Sequence, residues 1–158
     1  TGTHALRVLL AAAASRGVEC KWLVADLTTY EPSAGEFDLV IPFYLHLPQH
    51  ELGPVVARAA RAVAAGGTFL LVAHDSRNLK EGHGGPKDAS VLYSAEDVVP
   101  HLGDLSVERA EAVIRPVETD EGVRNAIDVL VRAKRRLAHA PHDQLRDLAA
   151  EIDDEDGI

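Results

Sequence analysis

The stretch FDLVIPFYLHLP, residues 37–48, decides the fold. Its first five residues, FDLVI, are a compact apolar run typical of a strand that is buried on both faces. Apolar residues then recur at helical spacing over 49–65, and Gly66-Gly67 ends that helix before a second buried strand, TFLLVA, at 68–73. Strand, helix and strand in this order predict parallel strands joined by a right-handed crossover.

The same alternation continues on both sides of this unit. The further predicted elements are a helix over 4–16, a strand over 20–25, a loop over 28–36, a glycine-rich loop over 78–88, a short helix capped by Ser94, and antiparallel strands over 106–114 and 125–133. The sequence therefore predicts the α/β class, with a mostly parallel sheet that ends in an antiparallel hairpin.

Charge and composition limit the classes of function. The chain has 158 residues and a net charge of −9, which disfavours binding to nucleic acid backbones. Residues 143–158 hold seven acids and one base, so we expect an acidic tail over 138–158, with a short helix, after a domain over 1–137. No apolar run approaches the roughly 18 residues of a membrane span. The single cysteine, Cys20, suits a reducing compartment, which predicts a cytoplasmic protein.

Ligands of parallel sheets bind beyond the carboxyl ends of the strands, which directs attention to the residues that follow each predicted strand. Asp26 follows the strand at 20–25, where its carboxylate could accept hydrogen bonds from a ribose or an adenine, or else cap a turn. Phe43 and Tyr44 follow FDLVI, where aromatic rings stack on a ligand or pack against the next helix. Both alternatives stay open at each place.

Histidines also cluster at these strand ends. His46 has the chemistry of a general base, although a histidine among leucines is more often structural. His74 and Asp75 follow the strand at 68–73, and His83 lies in the glycine loop. Their spacing matches no metal-binding pattern, so we predict that they line a pocket rim without a metal, with the glycine loop as a cover.

Four segments together resemble a class I S-adenosylmethionine-dependent methyltransferase, most closely the small actinobacterial members of the tellurite-resistance type. They are VADL at 24–27, FDLVIPFYLHLP at 37–48, TFLLVAHDSRN at 68–78 and GHGGPKDASVLYSAEDV at 82–98. The resemblance covers roughly residues 4–136. The glycine fingerprints of dehydrogenases and P-loop proteins, and the motifs HExxH and GxSxG, do not occur in the sequence.

The resemblance implies S-adenosylmethionine as cofactor and a Rossmann-like sheet. The cofactor contacts that it implies are Asp26, Leu27, Pro42, Phe43 and Tyr44. The substrate contacts are His46, His74 and Asp75, of which His46 and Asp75 are candidates for a catalytic base. The methyl acceptor is expected to be a small molecule, not a nucleic acid or a membrane, because the chain has no basic groove.

The sequence also departs from this family. The family has a glycine-rich loop after its first strand and an acid at the end of its second strand, and this chain contains neither. It begins at Thr1 without a methionine, so we expect an N-terminal strand–helix–strand unit of about 30 residues or more to be missing. The alternative hypothesis is a non-catalytic remnant that acts as an association module, with a homodimer through exposed sheet edges.

Overall fold

The computed structural model describes residues 13–137. The chain divides into two units, one up to Tyr30 and the other from Glu31 onward. Most of the helix predicted over 4–16 lies outside the described residues, which show only its last turn at 13–15. The acidic tail over 138–158 lies outside them as well.

The strand predicted over 20–25 was wrong. Residues 18–26 form no regular secondary structure, and their side chains are exposed. The apolar content of this segment suggested a strand, but a strand forms only where a neighbouring strand accepts its backbone hydrogen bonds. Within residues 13–30 there is no such neighbour.

The second unit contains the described helices and strands of the sheet. In chain order they are β1 (Phe37–Val40), α1 (Gln49–Arg61), β2 (Val63–His74), α2 (Asn78–Glu81), a 3₁₀ turn (Ala89–Val91), α3 (Ala95–Val98), a second 3₁₀ turn (Val99–His101), β3 (Ser106–Thr119) and β4 (Gly122–Lys134). The predicted capping box before α3 is confirmed, since Ser94 and Asp97 bond each other's backbone reciprocally.

The four described strands form one sheet in the order β1-β2-β4-β3. β1 pairs with β2 in parallel, and β4 is antiparallel to both β2 and β3. Three strands therefore run in the same direction, and only the last one in the chain, β4, runs against them. The predicted α/β class and Rossmann-like sheet with a C-terminal hairpin are confirmed.

The hydrophobic core lies on one face of this sheet. Alternate residues of β2 and β4 point into it, while α1, α3 and the second 3₁₀ turn cover it. Its central members are Val56, Phe69, Leu71, Tyr93, Val98, Val129 and Val131, all fully buried. The opposite alternate positions of β2, which include Val72 and His74, are only half-buried.

Several boundaries differ from the sequence prediction, and the two hairpin strands are longer than expected, ending at Thr119 and beginning at Gly122. α1 ends at Arg61, and β2 begins at Val63 and runs through Gly66-Gly67, because these glycines allow a close approach of neighbouring backbone. A Cβ on Gly67 would lie 3.0 Å from the carbonyl oxygen of Asp38. The predicted loop over 78–88 likewise begins with the single turn α2.

β1 was expected to be buried on both faces, and this is also wrong. Leu39 is 52% exposed, and Phe37 and Ile41 are exposed as well. β1 is an edge strand, paired only with β2 in the described part of the chain, so its outer side has no neighbour there. No helix within residues 13–137 is long and apolar enough to span a membrane.

Candidate functional site

A left-handed tyrosine marks the carboxyl end of β1. Tyr44 has φ 49°, which is uncommon for a residue other than glycine. Its amide donates to the carbonyl of Val72 at 2.8 Å, and the amide of Val72 donates to the carbonyl of Pro42 at 3.2 Å. These two bonds hold the chain against β2 after β1 has ended. Backbone strain of this kind concentrates at functional sites.

A buried carboxylate lies where the Tyr44 side chain ends. Asp128 on β4 exposes 1% of its surface and is the cross-strand partner of His74 on β2. Its Oδ2 accepts a hydrogen bond from the Tyr44 hydroxyl at 2.8 Å and another from Nε of Arg115 at 2.6 Å. The guanidinium compensates the buried negative charge, which would otherwise be costly.

Tyr44 and Arg115 also contact each other. The guanidinium carbon lies 5.6 Å from the centroid of the tyrosine ring. Burial is the main cause that raises the pKa of Tyr44, and its hydrogen bond to Asp128 raises the pKa further. The hydroxyl therefore stays protonated and remains a hydrogen-bond donor to the carboxylate at neutral pH.

The second carboxylate oxygen of Asp128 faces His74. Nδ1 of His74 lies 3.1 Å from Oδ1 of Asp128, but the ring is turned so that an N–H on Nδ1 does not point at the oxygen. Both atoms are buried and have no other hydrogen-bond partner among residues 13–137.

His46 stacks on His74. The two imidazole rings are nearly parallel, at 9°, with centroids 5.8 Å apart. The protein around His46 removes part of its hydration, which lowers its pKa, and the charge of His74 lowers that pKa further. His46 is therefore held in its neutral form, in which it can accept a proton.

The glycine-rich loop covers His74. A Cβ on Gly85, which has φ 76°, would lie 2.7 Å from Cδ2 and 2.9 Å from Nε2 of the His74 ring. Buried Asn78 positions this loop, because its Nδ2 donates to the carbonyl of Gly84 at 3.0 Å and its Oδ1 accepts from the amide of Ile127 at 2.7 Å. The loop thus lies against the site, as the sequence predicted for a cover.

Asp75 is adjacent to His74 in the chain but is used differently. Its Oδ1 accepts hydrogen bonds from the backbone amide of Arg77 at 2.9 Å and from Nε of Arg77 at 3.0 Å. Successive side chains of an extended segment point to opposite faces, so Asp75 lies on the other face from His74. Its carboxylate closes the turn that leads into α2.

Asp26 and Leu27 belong to the unit that ends at Tyr30 and are described by themselves. Oδ1 of Asp26 accepts from the amide of Thr28 at 2.9 Å and from its hydroxyl at 2.7 Å. These bonds lower the pKa of Asp26 and form a turn, which matches the second of the two roles considered for this residue.

The sequence prediction found three members of the cluster and missed the others. It singled out Tyr44, His46 and His74, which the structure brings together. It did not single out Asp128, Arg115, Asn78 or Gly85 as site residues. A signal for Asp128 was present, because it is a charged residue at an alternate position of the apolar strand NAIDVLVRA. Among residues 13–137, no three acidic, histidine or cysteine side chains are grouped as metal ligands.

This arrangement defines a Rossmann-like α/β domain with a polar cluster at the carboxyl ends of β1 and β2, where such sheets bind ligands. Solved structures that share the fold are S-adenosylmethionine-dependent methyltransferases. No family profile matches the chain, and no curated protein sequence matches it.

Three of the similar structures illustrate the fold. A methyltransferase from Methanosarcina mazei has a TM-score of 0.56 and 15% identity, over 85% of this chain and 78% of its own. TehB from Haemophilus influenzae has a TM-score of 0.62 and 13% identity, over 84% of this chain and 47% of its own. The methyltransferase SibL has a TM-score of 0.54 and 19% identity, over 84% of this chain and 41% of its own.

Proposed function

We propose that this chain is an S-adenosylmethionine-dependent methyltransferase domain that acts on a small molecule. One observation carries the proposal: Tyr44, His74 and Asp128 meet at the ligand-binding end of a sheet with the methyltransferase fold. The finer relationship, to the small tellurite-resistance type, is supported by the sequence motifs alone.

The residues after β1 fit the sulfonium end of the cofactor. The Phe43 ring is 65% exposed and packs edge-on against Tyr44, with centroids 4.7 Å apart. An exposed aromatic face attracts a cation such as a sulfonium. We assign the methionine end to Pro42, Phe43 and Tyr44, as the sequence resemblance implies.

The cofactor, when bound, supplies an activated methyl group. The chain contributes positioning and a partly dehydrated site, which are the main requirements of an in-line displacement. His46 and His74 then border the methyl acceptor. Of the two expected bases, His46 is held neutral, whereas the Asp75 carboxylate is engaged by Arg77.

The net charge and the cysteine content support a class of methyl acceptor and a cellular location. A chain with a net charge of −9 repels phosphate backbones, which favours a small-molecule acceptor. The single cysteine, Cys20, is free, which favours a cytoplasmic location.

Calorimetric titration of the 158-residue chain with S-adenosylhomocysteine tests the cofactor site. We expect micromolar binding. In a parallel titration with S-adenosylmethionine we expect Phe43→Ala to weaken the affinity by about tenfold, because a cation–π contact with the sulfonium contributes roughly 1 kcal/mol or more. Ile114→Ala, which removes an exposed side chain from β3, is the matched control and leaves the affinity unchanged. Heat signals indistinguishable from dilution would contradict the proposal.

A second function, association through an open sheet edge, is favoured by the contrast between the two edges. β1 and the residue that follows it expose apolar Phe37, Leu39 and Ile41. β3, at the other edge, exposes Val107 and Ile114 among a larger number of charged residues. One of these charges, Glu108, pairs with Arg132 at 2.9 Å. Charged edge strands resist pairing with other chains, whereas apolar ones promote it. We therefore propose β1 as the edge through which a homodimer forms.

A further inference from the structure

We infer that His74, oriented by Asp128, is the group that takes a proton from the methyl acceptor, so that the acceptor is a protic nucleophile such as a phenol, a hydroxyl or an amine. This inference rests on the proposed methyltransferase function and deepens it. It replaces His46 and Asp75 as the expected base.

The hydrogen-bond partners of Asp128 determine where His74 holds its proton. Tyr44 and Arg115 both donate to Oδ2, which leaves Oδ1 for His74 alone. A carboxylate is a pure acceptor, so the nitrogen beside it must carry hydrogen. Neutral His74 is therefore protonated on Nδ1, and its Nε2 has the free lone pair.

The surroundings of Nε2 leave that lone pair available. No hydrogen bond to Nε2 occurs among residues 13–137, and 11% of the His74 side chain remains exposed although Nδ1 is buried. Gly85 lies next to Nε2, where any Cβ would come within 2.9 Å. Glycine at this position keeps the ring in place and keeps Nε2 clear.

The proton and the electrons balance in a single step. A lone pair on the acceptor oxygen or nitrogen forms the new bond to the methyl carbon. The carbon–sulfur bond breaks, and its electron pair stays on sulfur, which gives neutral S-adenosylhomocysteine. The proton of the acceptor passes to Nε2 of His74, and the Asp128 carboxylate stabilises the imidazolium that forms.

The other two candidates lack this arrangement. His46 stacks on His74, and no hydrogen bond to its ring occurs among the described residues, so nothing fixes its tautomer. Asp75 accepts two hydrogen bonds from Arg77 and lies on the other face. Of the three, His74 alone has a carboxylate beside one ring nitrogen and, among residues 13–137, no hydrogen-bond partner at the other.

Long-range ¹H–¹⁵N correlation NMR of the ligand-free chain tests the pair without any turnover, since it distinguishes the two imidazole tautomers. We expect His74 above pH 8 to be the Nδ1–H tautomer in the wild type and to change to mainly Nε2–H in Asp128→Asn. His101, an exposed residue whose ring lies against Gly53 of α1, serves as the internal control and keeps its tautomer in both proteins. Asp128→Glu, which preserves the carboxylate, restores the wild-type tautomer.

Two results would overturn the inference: a wild-type His74 that is mainly Nε2–H, or a tautomer that Asp128→Asn leaves unchanged. The wild-type spectrum decides the first even if the variant does not fold. The NMR measurement of the tautomer does not depend on cofactor binding. If the calorimetric titration shows no binding, the methyltransferase proposal is contradicted, but the tautomer of His74 can still be determined.

Turnover separates a proton acceptor from a merely structural histidine. His74→Gln should slow methylation of catechol by about 100-fold or more relative to methylation of dimethyl sulfide, which has no proton to lose. Affinity for S-adenosylhomocysteine should stay the same in this variant. An equal loss with both acceptors, or a wild-type chain that methylates dimethyl sulfide but not catechol, would contradict the inference.

Discussion

Asp128 is tolerated inside the sheet only because three side chains surround its carboxylate. Tyr44 and Arg115 bond one oxygen, and His74 faces the other. Removal of any one of them leaves less compensation for a buried charge, so the residues of this cluster are coupled in stability as well as in position.

Tyr44→Phe measures how much one of these contacts stabilises the fold. The change removes the hydroxyl that donates to Asp128 at 2.8 Å and keeps the ring. We expect the free energy of unfolding, measured by urea denaturation, to fall by about 1–3 kcal/mol, because the acceptor is a buried, charged oxygen. Tyr30→Phe is the control, since the Tyr30 hydroxyl makes no hydrogen bond within residues 13–137. Equal effects of the two variants would show that the contact contributes nothing.

His74→Gln should raise the pKa of His46. The variant removes the charge that lowers this pKa, but not the loss of hydration, which is the larger cause. The pKa should therefore rise and still remain below the ordinary histidine value of about 6.5. NMR titration of the His46 ring measures this pKa directly. A pKa that stays the same or falls would mean that the two rings do not interact.

The lowered pKa of His46 also makes the stability of the fold depend on pH. A histidine whose pKa is lowered by folding binds its proton more readily in the unfolded chain. Its contribution to stability is complete above the unfolded pKa and is lost as pH falls through the folded pKa. His46 therefore favours the folded state at neutral pH and destabilises it in acid, where both states must protonate it.

At the scale of the element, the glycine-rich loop allows a direct comparison of two neighbouring glycines, only one of which contacts His74. Gly84 and Gly85 have nearly the same backbone, with φ 74° and 76°. A Cβ at Gly84 meets nothing within 4 Å, whereas one at Gly85 overlaps the His74 ring. Each change to alanine strains the backbone by about 1–2 kcal/mol, and the difference between them isolates the contact with His74.

We expect Gly85→Ala to destabilise the chain more than Gly84→Ala and to shift the His74 ring resonances, which Gly84→Ala leaves in place. Thermal unfolding and NMR of both variants measure these effects. If the two variants behaved alike, the loop would not be packed against His74 in solution.

The elements that were predicted correctly are those whose signals are local. The capping box at Ser94, the terminal hairpin and the α1 periodicity all depend on residues close together in sequence. The strand expected over 20–25 and the double burial of β1 depended on partners elsewhere in the fold, which a sequence pattern does not specify. Asp128 was missed for the same reason, since its role arises only where β4 meets β2 and the chain after β1.

At the scale of the whole molecule, the two sheet edges predict how the chain associates. Leu39→Lys places a charge on the apolar β1 edge and should abolish concentration-dependent association in sedimentation velocity. Ile114→Lys, on β3, adds the same charge at a side chain that is 68% exposed and should leave association intact. A wild type that stays monomeric at all concentrations, or equal effects of both variants, would exclude β1 as the interface.

The sheet order also has a consequence for synthesis. β4, made last of the four described strands, is inserted between β2 and β3 and carries Asp128. While the ribosome is still producing β3, the nascent chain has β2 with an empty side and Tyr44 without its acceptor. The centre of this sheet therefore forms only after β4 has left the ribosome, and until then chaperones can bind the apolar residues of β2.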